Sequence, residues 1–196
     1  MKRYVRLLSA ICVSFLLFGG NALCESMSPS QSPAKSEKAE PLFEGLGSIH
    51  HQVTTKSPLA QKYFDQGLSF IYAFNHDEAE RSFEQAAKID PGMAIAYWGV
   101  ALVLGPNYNQ PGDKDRGARA YAAFQKAQSL EPQAAPEETD LIEAVAKRYS
   151  SDGEPSAAHD REYANAMREV AHRYPDDPDV QTLFAESLMD LHPWQL

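Results

Sequence analysis

One four-residue skeleton occurs twice in this chain at a fixed spacing. Ala79, Phe83, Ala86 and Pro91 read A-x3-F-x2-A-x4-P, and Ala120, Phe124, Ala127 and Pro132 read it again 41 residues later. A third, degraded copy keeps the same offsets in Tyr163, Met167, Val170 and Pro175. Recurrence of this kind marks a helical repeat, in which one unit cannot bury its apolar face and needs a neighbour to cover it. The expected function moves away from an enclosed catalytic pocket and towards a binding surface built of stacked helices.

Local punctuation agrees with a helical chain. Ser57-Pro58 reads as an N-cap followed by proline at the first helical position, opening a helix over about 59–74. Asn75, with Glu78 three residues on, caps a second helix that ends near Asp90-Pro91. A third, over about 93–104, is apolar on nearly all sides, which predicts burial or a contact surface. A fourth covers about 115–129, and a fifth opens at Pro136 and carries Leu141, Ala144, Val145 and Tyr149. A sixth runs over about 156–174, and a seventh over 179–191 follows the Asp177-Pro178 cap. No window alternates in the manner of a strand. The sequence predicts an all-α chain of seven helices in antiparallel pairs.

The N-terminus predicts an exported protein. Lys2, Arg3 and Arg6 precede a nearly apolar run from Leu7 to Phe18, and Ala22-Leu23-Cys24 offers a cleavage site. Residues 1–24 are read as a signal peptide, giving an extracytoplasmic location, periplasmic or secreted. Lipid anchoring at Cys24 is disfavoured because bulky Leu23 stands where a small residue is usual. Both cysteines, Cys12 and Cys24, fall in this segment, so no disulfide is expected in the mature chain. Residues 25–57 follow as a disordered tether, rich in Ser, Pro, Lys and Glu, and a lead-in holding Phe43, Leu46, His50 and His51.

Removal of Lys2, Arg3 and Arg6 takes 18 basic residues to 15 against 27 acidic ones, a formal charge of −12. That argues against nucleic acid as a partner, since phosphate neutralisation by Lys and Arg dominates such binding. It equally disfavours anionic membrane surfaces, and no membrane insertion is expected after cleavage.

The repeated residues resemble the tetratricopeptide repeat family, whose unit of roughly 34 residues places an aromatic, a glycine and an aromatic before A…F…A…P. Tyr63, Gly67, Phe70, Ala79, Phe83, Ala86 and Pro91 fit that register without a gap. Tyr97, Ala101, Leu104, Ala120, Phe124, Ala127 and Pro132 fit after an insertion at Asn107–Asp113. The resemblance covers 58–196, with units at about 60–93, 94–134 and 135–177, and an incomplete one at 178–196. More narrowly, the run 63–68, then 72–76, 96–99 and 104–107, is similar to a group of longer exported bacterial repeat proteins. Many of those have two cysteines near the positions of Met93 and Ala96 here.

The resemblance implies a right-handed α-solenoid of about three and a half repeats. Its first helices would line a concave groove that binds a protein or peptide. The groove positions it carries over are Phe64, Leu68, Ile71, Tyr72, Ile95, Trp98 and Leu102, with Gln61 beside them. Further along they become Thr139, Glu143 and Lys147, then Thr182, Glu186, Met189 and Asp190, so one end is aromatic and the other acidic. Val180, Leu183, Phe184 and Leu188 of the last helix would lack a covering neighbour, which predicts a partner or self-association at that end.

Catalytic signals are few. No nucleophile elbow, phosphate-binding glycine loop or H-E-x-x-H motif occurs, so neither an enzyme nor a cofactor is expected. The competing reading is a metal- or small-ligand-binding protein, an enzyme in a longer form. Its site would be a His/Asn edge of His50, His51, Asn75, His76, Asn107 and Asn109, converging beside Trp98. Against that stands the plain use of Asn as a helix cap and turn residue.

Overall fold

The computed structural model describes residues 39–193. The signal-peptide reading and most of the proposed tether lie outside those residues. Seven α-helices follow in order: α1 Pro58–Tyr72, α2 His76–Ile89, α3 Ala94–Leu104, α4 Lys114–Leu130, α5 Pro136–Ala146, α6 Ala157–Arg173 and α7 Pro178–Met189. A short 3-10 turn, Glu131–Gln133, continues α4. Among the described residues there is no strand, only an isolated bridge between Asn107 and Gln110. The chain is all-α.

The caps explain the boundaries. Ser57 Oγ accepts from the Ala60 N–H at 3.2 Å, and Asp113 Oδ1 from the Arg116 N–H at 2.9 Å. Asp177 Oδ1 accepts from both the Asp179 and Val180 N–H groups at 2.9 Å. Each satisfies donors that a helix start leaves open. α3 has no side-chain cap, and ten of its eleven residues are buried, so packing rather than capping holds it. Its C-terminal carbonyls are met from α4 and from the residues after α5. The Arg116 guanidinium donates to Val103 O and Leu104 O, and the Tyr149 hydroxyl donates to Ala101 O at 2.6 Å.

Each helix packs on the next in sequence, and α1, α3 and α5 also touch in succession. The joint of the first three helices is Phe83 on α2, wholly buried between α1 and α3. A Cβ added at Gly67 would stand 2.5 Å from its ring, and one at Gly99 would stand 2.6 Å from it. The phenyl ring therefore occupies space that exists only because both flanking helices carry glycine there.

The lead-in is more ordered than its composition predicts. Glu40 O accepts from the Tyr63 hydroxyl at 2.5 Å, the Phe43 N–H donates to Gln66 Oε1 at 2.8 Å, and Phe43 stacks edge-on against Phe70. Further along, the Thr54 N–H donates to Glu138 Oε1 of α5 and the Thr55 hydroxyl to Asp90 Oδ2, both at 2.5 Å. Side chains of the helices supply the partners of this non-helical strap, a signal that local sequence does not carry.

Candidate functional site

The expected groove residues come together but are not open. Phe64, Leu68, Ile71, Ile95, Trp98 and Leu102 are between 0% and 6% exposed. Phe64 packs against Phe83 and Trp98, with ring centroids 5.4 and 6.5 Å away. The last helix covers this floor. Val180 and Leu183 of α7 and His51 of the lead-in share a void of about 10 Å³ with Phe64, Leu68, Trp98 and Leu141. That is room for about one water. The expectation of a bare last helix is corrected for Val180 and Leu183, which are 0% and 2% exposed: α7 packs chiefly on α6, and these two side chains reach the void lined by Phe64, Leu68, Trp98 and Leu141. Phe184 is half-buried beneath the Arg168 guanidinium. Glu143 and Lys147 are exposed and line a separate cleft against α6.

Polar contacts hold α7 along its edge. Asp179 Oδ1 accepts from the Tyr72 hydroxyl at 2.7 Å, and its Oδ2 lies 3.1 Å from His51 Nδ1. Glu186 stands 3.8 Å from His76 Nε2. Asp190 Oδ2 accepts from the Arg148 guanidinium at 2.6 Å. The three acids lie seven and then four residues apart, a spacing that keeps them along one side of a helix. Of the acidic groove end read from the sequence, Glu186 faces the start of α2 and Asp190 the residues after α5, while Glu143 stays exposed in the cleft against α6.

The proposed His/Asn edge does not converge on one point. His50 turns to Asp65, 2.8 Å from Nδ1, with its ring exposed. Asn75 caps α2, its Oδ1 accepting from the Glu78 N–H. Asn107 Oδ1 accepts from the Asn109 N–H at 3.0 Å, and its backbone exchanges two hydrogen bonds with Gln110. His51 alone reaches the neighbourhood of Trp98.

His51 is flanked by carboxylates on both nitrogens. Nε2 is 3.2 Å from Glu137 and Nδ1 is 3.1 Å from Asp179, with Asp177 at 3.8 Å, and the side chain is 12% exposed. The hydrogen bond to Asp179 raises its pKa above the ordinary histidine value, against burial, with Asp177 and Glu137 adding to the rise. The same bond holds the Asp179 carboxyl below its usual range, while burial raises that of Glu137. His51, Glu137 and Asp177 each offer one ligand atom, all within 4.8 Å of one another, a set with the chemistry of a divalent-cation site. Sequence reasoning gave Glu137 and Asp179 no site role and read Asp177 only as the cap of the last helix.

A second locus lies at the far end of α7. A cavity of about 520 Å³ opens between the α3–α4 loop, the start of α6 and the residues after Met189. The Arg148 side chain, 2% exposed, lies at this end of the molecule. Its guanidinium donates to Pro106 O at 2.5 Å, faces Asp160 at 3.4 Å and stacks 4.8 Å from the Tyr163 ring. Asp190 lies at the cavity edge with its carboxyl buried away from the open space, the side chain 3% exposed. Burial pushes its carboxyl up to about 6 in spite of Arg148. No family model matches this sequence, and neither the curated proteins nor the solved structures provide a match.

Proposed function

We propose that this chain is an exported scaffold of tetratricopeptide type, a right-handed solenoid that holds a protein or peptide partner through the inner face of its first helices. One observation carries the reading: that face already accepts a helix. Val180 and Leu183 of α7 are buried on it beside Phe64, Leu68, Trp98 and Leu141, while the polar contacts of α7 stay at the rim. Helix-in-groove recognition uses this division of apolar anchors and polar edge. Trp98 Nε1 is buried and finds no acceptor among the described residues, which leaves the floor with an unmet donor. A partner segment would enter where α7 lies, and the His51 and Tyr72 contacts to Asp179 act as its latch.

In-cell crosslinking of the tagged full-length gene product, followed by mass spectrometry, tests this. A double variant, His51→Ala with Tyr72→Phe, loosens the latch and leaves Phe64, Leu68, Trp98 and Leu141 in place. Capture of one defined partner should rise by several fold in that variant while helicity by circular dichroism holds. Capture that ignores the latch, or no specific partner in either form, refutes the groove.

A second reading rests on the approach of His51, Glu137 and Asp177. Here a divalent cation takes the place of the proton that His51 shares with its carboxylates, and the protein is a metal-binding one. Native mass spectrometry of chelator-treated protein with added Zn²⁺ or Mn²⁺ tests it: one bound ion, lost in Glu137→Gln, supports the site, and no stoichiometric ion removes it.

A further inference from the structure

Three separate segments of the chain meet at His51. The histidine belongs to the lead-in, Glu137 is the second residue of α5, and Asp177 is the N-cap of α7. Two of the three are fixed by other contacts. The Gln61 side chain donates to His51 O at 2.8 Å, and the His51 N–H donates to Asp65 Oδ1 at 3.3 Å. Asp177 uses Oδ1 for the cap and leaves Oδ2 towards His51, 3.8 Å from Nδ1.

The charges do not balance. Among the described residues no Lys or Arg pairs with Glu137, Asp177 or Asp179, so His51 faces three carboxylates alone. With the imidazole protonated the cluster is still two charges negative, an excess that partial burial makes costly. A divalent ion beside a neutral imidazole leaves it one charge negative. One nitrogen of His51 then serves as a ligand while the other still faces a carboxylate, Glu137 on one side or Asp179 on the other. Such a carboxylate fixes the tautomer and orientation of a ligating imidazole. One imidazole with two carboxylates suits Mn²⁺ or Zn²⁺.

The position of the cluster gives an ion there a mechanical consequence. α7 packs chiefly on α6, and reaches the first helices through Val180, Leu183 and the polar contacts of one edge. His51 and Asp179 border the void beneath Val180 and Leu183, so the cluster adjoins the apolar seal. An ion shared by the lead-in, α5 and the cap of α7 ties the start of that helix down beside the seal.

We propose that a divalent cation held by His51, Glu137 and Asp177 is a lock on α7, keeping the helix over Phe64, Leu68 and Trp98 while bound and freeing it to lift when lost. The lock rests on the metal-binding reading above and makes the ion a regulator of the inner face. Whatever enters where α7 lies must compete with the ion.

Hydrogen–deuterium exchange of the purified full chain, chelator-treated and then given Mn²⁺ or Zn²⁺, tests the lock. An ion that binds only the closed form suppresses opening, so amides of α7 should exchange about tenfold or more slowly at saturating ion. Amides of α2, which supplies no ligand, should exchange as before. Glu137→Gln should abolish the slowing, while its metal-free exchange stays near that of the wild type. His50→Gln removes the neighbouring histidine, which is paired with Asp65, and should leave the slowing intact.

Native mass spectrometry of the same samples separates the two levels of the argument. No stoichiometric ion removes the metal site and the lock with it. One bound ion with unchanged exchange in α7, or slowing spread equally over α2, keeps the site and overturns the lock.

Discussion

One helix, α7, closes two regions of this molecule in opposite ways. Its first half meets Phe64, Leu68, Trp98 and Leu141, and leaves a void of about 10 Å³. The residues at its end meet a proline-rich loop and a buried guanidinium, and leave about 520 Å³. The first seal is made by apolar side chains free to settle into low-energy rotamers against one another, as protein interiors do. The second is bounded by rings of fixed shape and by ionic groups that need donors and acceptors rather than contact. The same chain thus spends apolar burial at one end and retains a polar, walled space at the other.

The contrast breaks most sharply at Leu183. Leu183→Ala removes methyl groups from a filled seal and should destabilise the protein by about 2–5 kcal/mol, read from urea unfolding. Leu191→Ala, half-buried against an existing cavity, should change stability far less. Equal effects would mean that the two ends of α7 are packed alike.

Next in size are the two glycines that admit Phe83. Gly67→Ala and Gly99→Ala each push a Cβ into the phenyl ring, and should lower stability by about 1–3 kcal/mol. Because both act on one ring, Gly67→Ala combined with Phe83→Leu should recover part of the loss. No recovery would place the strain elsewhere.

How much of this could be read in the sequence follows from the range of each interaction. Ser57, Asn75, Asp113 and Asp177 act on amides two or three residues away, so the helices they start were legible in order and within a few residues. Ala79 and Phe83 recur in the sequence as Ala120 and Phe124, and the first pair is wholly buried in the structure. The site was less legible. His51 meets Asp179 across 128 residues and Arg148 meets Asp190 across 42, and no periodicity links them. Phe64, Leu68 and Trp98 were named in the sequence and Leu141 was not, and the sequence could not show that α7 turns Val180 and Leu183 back onto them. Nor could it separate His50, exposed on Asp65, from His51, enclosed by three carboxylates, though the two are adjacent.

The smallest expected effect compares the same two ends by pH. His51 faces Glu137 on α5 and Asp177 and Asp179 at the start of α7, and its pKa is raised above 6.5. A raised folded value means that the folded state holds the proton more tightly. The stability from this contact is fully present below the unfolded value and is lost as pH rises through the raised one. Asp190 faces Arg148, Asp160 and Glu186, and burial raises it from 3.8 to about 6. Its contribution has the same sign but a lower window: present below about 4, and lost as pH rises towards 6. Melting temperature against pH should therefore carry two downward components. His51→Gln should remove the upper one and Asp190→Asn the lower. His50 is raised in the same sense by Asp65, but its ring is exposed, so added salt should suppress its share and spare that of His51. A single window, or an upper component that salt abolishes, would show that the first end of α7 is not held by an enclosed imidazolium.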